Sequence, residues 1–250
     1  MSFKNKVVVV TGSGSGMGAA TALLFAEEGA QVVIVDNSER RAQTTAEQCE
    51  QYDNKALVII ADVSKREDDE KIIKETVENY GRIDILVNIA GTVKEGKISD
   101  GTVLETYDEI MDTNLRSVVI LTSLAAPLLA KTKGCIVNMS SIGSTEIRTG
   151  FLFPVYCVSK AAVDCFTRAS AFELAPLGVR VNAVNPGPVH TNFLVHNGVS
   201  GSFDECAKVT ALKKASDPKE VANLILYLAS DKANSITGAC YVIDNGMALV

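Results

Sequence analysis

A tyrosine and a lysine four residues apart, Tyr156 and Lys160, follow the serine pair Ser140-Ser141 within the stretch SSIGSTEIRTGFLFPVYCVSK. If a helix begins near Pro154, both side chains lie on one face, a turn apart. A free phenol titrates near pKa ~10, and a cation held within about 6 Å favours its phenolate. The pair is therefore expected to form an acid/base able to exchange a proton with a substrate hydroxyl. An isolated Tyr-x-x-x-Lys is equally a core tyrosine beside a solvated lysine. Its meaning depends on the rest of the chain.

A second chemistry sits at the N-terminal end. The β-branched run KVVVVT leads into Thr11-Gly-Ser-Gly-Ser-Gly-Met-Gly18 and then the alanine-rich AATALLFAEEGA, closed by Gly29. Strand, glycine turn and helix in that order let the backbone approach a pyrophosphate, which the free N–H groups and positive dipole end of the helix attract. The spacing at Gly12, Gly16 and Gly18 is G-x-x-x-G-x-G, not the G-x-G-x-x-G fingerprint. Asp36 closes the next apolar run, where a carboxylate can accept from adenosine ribose hydroxyls and repel a 2′-phosphate. This favours NAD(H) over NADP(H), although Arg40 and Arg41 follow closely. Asp36 can also be read as a turn or cap residue. Asp62 and Asn88-Ile-Ala-Gly91 close two further runs, where small residues suit close approach to a cofactor.

The elements that must position these groups alternate along the chain. Strands are expected at 6–11, 31–35, 56–61, 83–87, 135–139, 179–184 and 239–243, with helices at about 38–52, 66–80, 103–130 and 217–229 and from Pro154 onward. This predicts an α/β fold: one Rossmann-type domain over 1–250, a doubly wound parallel seven-stranded sheet with helices on both faces and right-handed crossovers. Asn114 lies inside a long helix, where asparagine is unfavourable, so local bending or water binding is expected there. The Gly- and Ser-punctuated segment 188–215 reads as a substrate lid.

The 250 residues are 47% hydrophobic with net charge −6, and Lys and Arg are dispersed. Such a chain has no electrostatic footprint for nucleic acid or an anionic membrane. Six scattered cysteines without C-x-x-C spacing, and two histidines, suggest neither a disulfide framework nor a metal site. No leader is expected, and the apolar stretch 117–130, which contains Pro127, is too short to span a bilayer. A cytoplasmic protein acting on small molecules follows.

Taken in order, the glycine turn, Asn88-Ile-Ala-Gly91, Asn114, Ser141, Tyr156-Cys-Val-Ser-Lys160 and Asn185-Pro-Gly-Pro-Val-His-Thr191 resemble the short-chain dehydrogenase/reductase family over the whole length. The resemblance implies a nicotinamide cofactor and a Ser-Tyr-Lys centre. In it Tyr156 is the acid/base, Lys160 lowers its pKa and holds the nicotinamide ribose, and Ser141 polarises the substrate carbonyl. Asn114 distorts its helix to hold a water on a proton path. Gly12, Ser15, Gly16 and Met17 would hold the pyrophosphate. Asp36, Asp62, Val63, Asn88, Ala90, Gly91, Pro186, Gly187, Val189 and Thr191 would supply other cofactor contacts, with Asp62 near the adenine. It also implies a homotetramer built on the helices of Asn114 and Tyr156 and the last strand.

Three departures from the family pattern stand out. Ile89 replaces a second Asn, so apolar compensation is expected. Ser141 precedes Tyr156 by more residues than is usual, so the loop between them should bulge, with Phe151-Leu-Phe-Pro154 lining the substrate pocket or packing against a neighbour. Asp244-Asn-Gly246 replaces an acidic-Gly-Gly turn. Ser140 is an alternative to Ser141.

The function expected is NAD(H)-dependent interconversion of a secondary alcohol and a ketone. Phe193, Leu194, Val195, Val199 and Phe203 in the lid point to a largely apolar substrate, with His190 and His196 solvated. The alternatives are NADPH-dependent reduction of 3-oxoacyl thioesters or other carbonyls, and a cofactor-binding sensor without turnover.

Overall fold

The computed structural model describes residues 2–53, 55–146 and 153–250. Seven short strands, β1 (Val7–Thr11), β2 (Gln31–Asp36), β3 (Leu57–Ile60), β4 (Ile85–Asn88), β5 (Cys135–Met139), β6 (Arg180–Pro186) and β7 (Cys240–Ile243), pair in the order β3-β2-β1-β4-β5-β6-β7. Every pairing is parallel. Helices cover both faces, so successive strand residues bury in opposite layers. In β1, Val8 and Val10 join the layer of α1 (Gly16–Glu27), α2 (Glu39–Cys49) and the late helix 218–229. Val7 and Val9 join the layer of α3 (Arg66–Tyr80) and the long central helices. This is the expected doubly wound sheet. Its strand order reverses between β1 and β4, which opens a crevice at their C-terminal ends.

The helix expected over 103–130 is broken in two. α4 (Val103–Met111) passes through a π-helical turn, Asp112–Arg116, into α5 (Ser117–Thr132). Counted as one, these 30 residues are long and apolar enough to cross a bilayer by length and composition. This corrects the reading of that segment as too short. The helix instead lays Leu121, Ala125 and Leu129 on the sheet as a core helix. β6 runs on to Pro186 because β7 pairs with it as far as Ile243. α6 (Pro154–Leu174) starts at the expected proline.

Ile89 packs in the first apolar layer, as expected of the residue that replaces an asparagine. A buried polar chain crosses the sheet beside it: Asn88 Nδ2 donates to Asn138 Oδ1 at 2.9 Å, and Asn138 Nδ2 donates to Thr167 Oγ1 at 2.9 Å.

Asp69 in the first turn of α3 is fully buried, and neither carboxylate oxygen has a partner among the described residues. Burial, reinforced by Asp68, Asp62 and Glu70, pushes its carboxyl up to about 8. The folded chain holds Asp69 neutral where the unfolded chain, titrating near ~3.9, is ionised. The contribution of Asp69 to stability is therefore fully present below about pH 4 and is lost as pH rises towards 8. Asp69→Val is expected to raise the melting temperature by roughly 5 °C or more at pH 8 and by much less at pH 5. Thermal melts at both pH values check this, and an equal gain at both would refute it.

Candidate active site

A cavity of about 920 Å³ runs along the C-terminal edge of the sheet, from Asp36 and Val63 at one end to Tyr156 and the lid at the other. Gly12, Ser15, Gly16 and Met17 line it where β1 turns into α1. Gly12 and Gly16 have φ of +66° and +53°, and a Cβ on Gly12 would stand 2.9 Å from Ala90 Cα. A side chain at Gly12 would collide with the Ala90 backbone, and the positive φ at both positions favours glycine. Ser15 caps α1 without a side-chain bond, and no acidic residue lies in the first turn. That leaves the helix N-terminus open to an anion.

Asp36 lies at the far end, nearly buried. Its Oδ1 accepts from Ser38 N–H and from Arg41 at 2.8 Å, and its Oδ2 accepts from Gly14 N–H. Arg41, read from the sequence as a conceivable phosphate contact, is thus the carboxylate's own partner. Asp62, Val63, Ala90, Gly91, Pro186, Gly187, Val189 and Thr191 also line the cavity. Asp62 Oδ1 accepts from the Ser64 N–H and hydroxyl. Asn88 is buried within the sheet, its Nδ2 donating to Asn138 Oδ1, and it is not among the residues that line the cavity. The glycine turn with its open helix N-terminus, the Asp36 carboxylate in the same cavity and the apolar lid end together fit a nicotinamide dinucleotide.

Around Tyr156 the expected groups converge. The Ser141 hydroxyl acts on the Tyr156 phenol against the effect of burial, and Lys160 Nζ lies 5.8 Å from the tyrosine ring centre. Lys160 Nζ donates to the Met139 carbonyl at 2.9 Å. Ser141 caps a short 3-10 turn, Ile142–Ser144, and its Oγ accepts from Gly143 N–H. Ser140, the alternative, is buried with its hydroxyl donating to the Lys160 carbonyl. It therefore positions the helix, whereas Ser141 meets the phenol.

One electrostatic expectation is reversed. Burial pushes the Tyr156 phenol up to about 12, with Ser141 opposing it, while burial brings Lys160 down to about 8 with Asp164 opposing. In the protein by itself, burial is the largest influence on the phenol. The phenol is therefore a proton donor at neutral pH.

Asn114 is fully buried in the π turn and does not line the cavity. Its Oδ1 accepts from Thr92 N–H, and its Nδ2 donates to the Thr92 carbonyl and Ser159 Oγ. Both amide hydrogens and one lone pair of the amide oxygen are thus taken by protein groups. A Cβ on Gly91 would lie 3.3 Å from Asn114 Oδ1 and 3.5 Å from Lys160 Nζ, so glycine keeps that junction clear.

The lid carries two short helices, α7 (Phe193–His196) and α8 (Phe203–Ala207), before α9 (Pro218–Ala229). Phe193, Leu194, Val199 and Phe203 line the cavity as expected, but Val195 points to solvent. His196 lines the cavity, and His190 instead pairs with Asp204 at 3.3 Å. Thr92 Oγ1 donates to Asn197 Oδ1 at 2.6 Å, tying the lid to the loop after β4. Thr92, Asn197 and Met247 gave no signal in sequence, because only folding brings them to the cavity. Phe151 and Leu152, expected to line the pocket or pack against a neighbour, and the bulge expected before Tyr156 lie outside the described residues. Phe153 lines the cavity.

The chain resembles known proteins over nearly its whole length. Residues 12–248 match the family model described as "Enoyl-(Acyl carrier protein) reductase". The meso-2,3-butanediol dehydrogenase of Serratia marcescens is 38% identical over 98% of this chain and 96% of its own. The NAD-dependent glycerol dehydrogenase of Listeria innocua is 34% identical over 98% and 94%. A solved short-chain type dehydrogenase/reductase from Mycobacterium marinum superimposes with a TM-score of 0.93 at 31% identity, covering 100% of this chain and 98% of that one. The chain belongs to the short-chain dehydrogenase/reductase family. It is an NAD(P)-linked oxidoreductase acting on alcohol and ketone groups.

Proposed function

We propose that the chain is an NAD(H)-dependent dehydrogenase/reductase of small, largely apolar secondary alcohols and ketones. The observation that carries this reading is the meeting of the Ser141 hydroxyl, the Tyr156 phenol and Lys160 at the inner end of a cavity whose outer end is Asp36. The bound nicotinamide supplies the hydride chemistry. Tyr156 gives its proton to the ketone oxygen in reduction and takes it back in oxidation. Ser141 orients that oxygen, and Lys160 steadies the charge that develops on the phenol. Gly12, Ser15, Gly16 and Met17 hold the pyrophosphate, and Asp36 receives the adenosine ribose. Asn114 braces the Thr92 loop and Ser159 behind the lysine.

Phe193, Leu194, Val199, Phe203, Ile142 and Phe153 make the substrate end apolar. The names of the butanediol and glycerol dehydrogenases support a small alcohol. The family model's description supports the second reading, an acyl-carrier-linked reductase. Of the lysines and arginines lining the cavity, Lys94 pairs with Glu109 and Arg41 with Asp36, and Lys160 belongs to the reacting centre. None is left over for an anionic carrier arm among the described residues, so the second reading ranks lower. A sensor without turnover ranks lower still, since the full donor set is assembled. None of the six cysteines is in a disulfide, which supports a reducing, cytoplasmic setting. Exposed Leu104 and Tyr107 on α4, Phe172 on α6 and Leu249 at the C-terminus support a homotetramer.

The test is absorbance at 340 nm with a panel of small apolar alcohols and ketones, NAD(H) and NADP(H) side by side, with light scattering on the same stock. NAD(H)-preferring turnover by a tetramer is expected. Turnover confined to NADPH and 3-oxoacyl thioesters would refute the reading.

A further inference from the structure

We propose that Asp164 is a positioning residue for this reaction, fixing the Ser141 turn through Asn185 and setting the charge environment of Lys160. The inference rests on the assignment of Ser141, Tyr156 and Lys160 given above. Asp164 follows Lys160 by four residues and Tyr156 by eight, so all three lie along one face of α6. It is buried at 5% exposure and joins no ion pair among the described residues. A buried carboxylate without a cationic partner is costly unless hydrogen bonds hold it.

Asn185 provides them. Its Nδ2 lies 2.9 Å from Asp164 Oδ2 and 3.1 Å from Oδ1. The same nitrogen lies 3.3 Å from the Ser141 carbonyl and 3.0 Å from Ser144 Oγ. Asn185 sits in β6 and is itself almost fully buried. One amide thus joins α6, the end of β6 and the two ends of the turn that presents the Ser141 hydroxyl. Asp164 orients that amide. Its negative charge also opposes the burial that brings Lys160 down, so it holds the ammonium in place.

Other groups near this pair are accounted for. Tyr156, Cys157 and Arg168 lie on α6, and Arg168 donates to Cys240 Sγ on β7. Asp112 and Arg116 of the π turn pair with each other, Glu109 of α4 pairs with Lys94, and Arg180 of β6 donates to the Leu228 and Ser230 carbonyls. Among the described residues, Asp164 is the charge that acts on Lys160.

Two variants separate the tether from the charge. Asp164→Asn keeps the shape and an acceptor for Asn185 but removes the charge. Asn185→Ala keeps the charge and cuts the tether. For Asp164→Asn the limb of the pH profile for alcohol oxidation that reports Lys160 is expected to move down by about one unit. Its kcat at pH 7 should fall about tenfold, with substrate KM changed less than about threefold. For Asn185→Ala the limb should stay in place while kcat/KM falls about tenfold. Amides of residues 143–146 should then exchange with deuterium faster in the cofactor-free protein.

An unshifted limb in Asp164→Asn, or unchanged exchange in Asn185→Ala, overturns the proposal. Should Asp164→Asn fail to fold, the exchange and kinetics of Asn185→Ala decide alone. Tyr156→Phe is run alongside. If that variant is inactive while Asp164→Asn behaves as wild type, only the Asp164 inference fails. If it retains wild-type turnover, the assignment beneath fails as well.

Discussion

Tyr156→Phe is expected to lower kcat for alcohol oxidation and ketone reduction by about 10³-fold, equivalent to about 4 kcal/mol of transition-state stabilisation. The size follows from what the hydroxyl does. It is the group in the cavity that meets both Ser141 and the lysine-bearing face of α6. Without it, a developing alkoxide has no proton donor in line. The phenyl ring keeps its packing beside Phe193, whose ring centre is 6.4 Å away, so the fold and the dinucleotide cradle are undisturbed. Cofactor affinity, read by fluorescence titration of NADH, should change less than about threefold. Steady-state kinetics together with that titration check the prediction. Turnover within tenfold of wild type would remove Tyr156 from the proton step.

Asp36→Ser is expected to raise the NADP(H)-to-NAD(H) ratio of kcat/KM by about 10²- to 10³-fold. Two unit charges ~4 Å apart interact by about 4 kcal/mol at an effective dielectric near 20, which sets the upper end. Partial exposure of Arg41 lowers it. Removing the carboxylate both ends that repulsion and frees the Arg41 guanidinium, now held at 2.8 Å, for a 2′-phosphate. The double variant Asp36→Ser/Arg41→Ala should lose most of the gain, which separates relief of repulsion from new attraction. Asp36 also accepts from Gly14 and Ser38 N–H groups, so a loss of about 1–2 kcal/mol in stability accompanies the switch. A ratio unchanged in Asp36→Ser would show that the adenosine end does not set the preference.

The alternation of short apolar runs with helical stretches determines the class of fold from the sequence alone, because strands buried on both faces leave few other arrangements. The same holds for the glycine turn, for Asp36 at a strand end and for Tyr156 and Lys160 one turn apart. Each is a local rule of backbone or helix geometry, readable within a few residues. What only the tertiary structure decided depends on contacts between distant segments. Asn88 and Asn114 are legible as special residues, yet folding commits one to Asn138 across the sheet and the other to Thr92 and Ser159, away from the cavity. Whether Lys160 or burial governs the Tyr156 phenol depends on how much water the lid and the turn after β5 exclude. Asp164 meets Asn185, and Thr92 meets Asn197, only because parallel strands bring their C-terminal ends to one edge. Hydrogen bonds and desolvation act over a few ångströms, and the sequence carries no measure of which distant residues come that close.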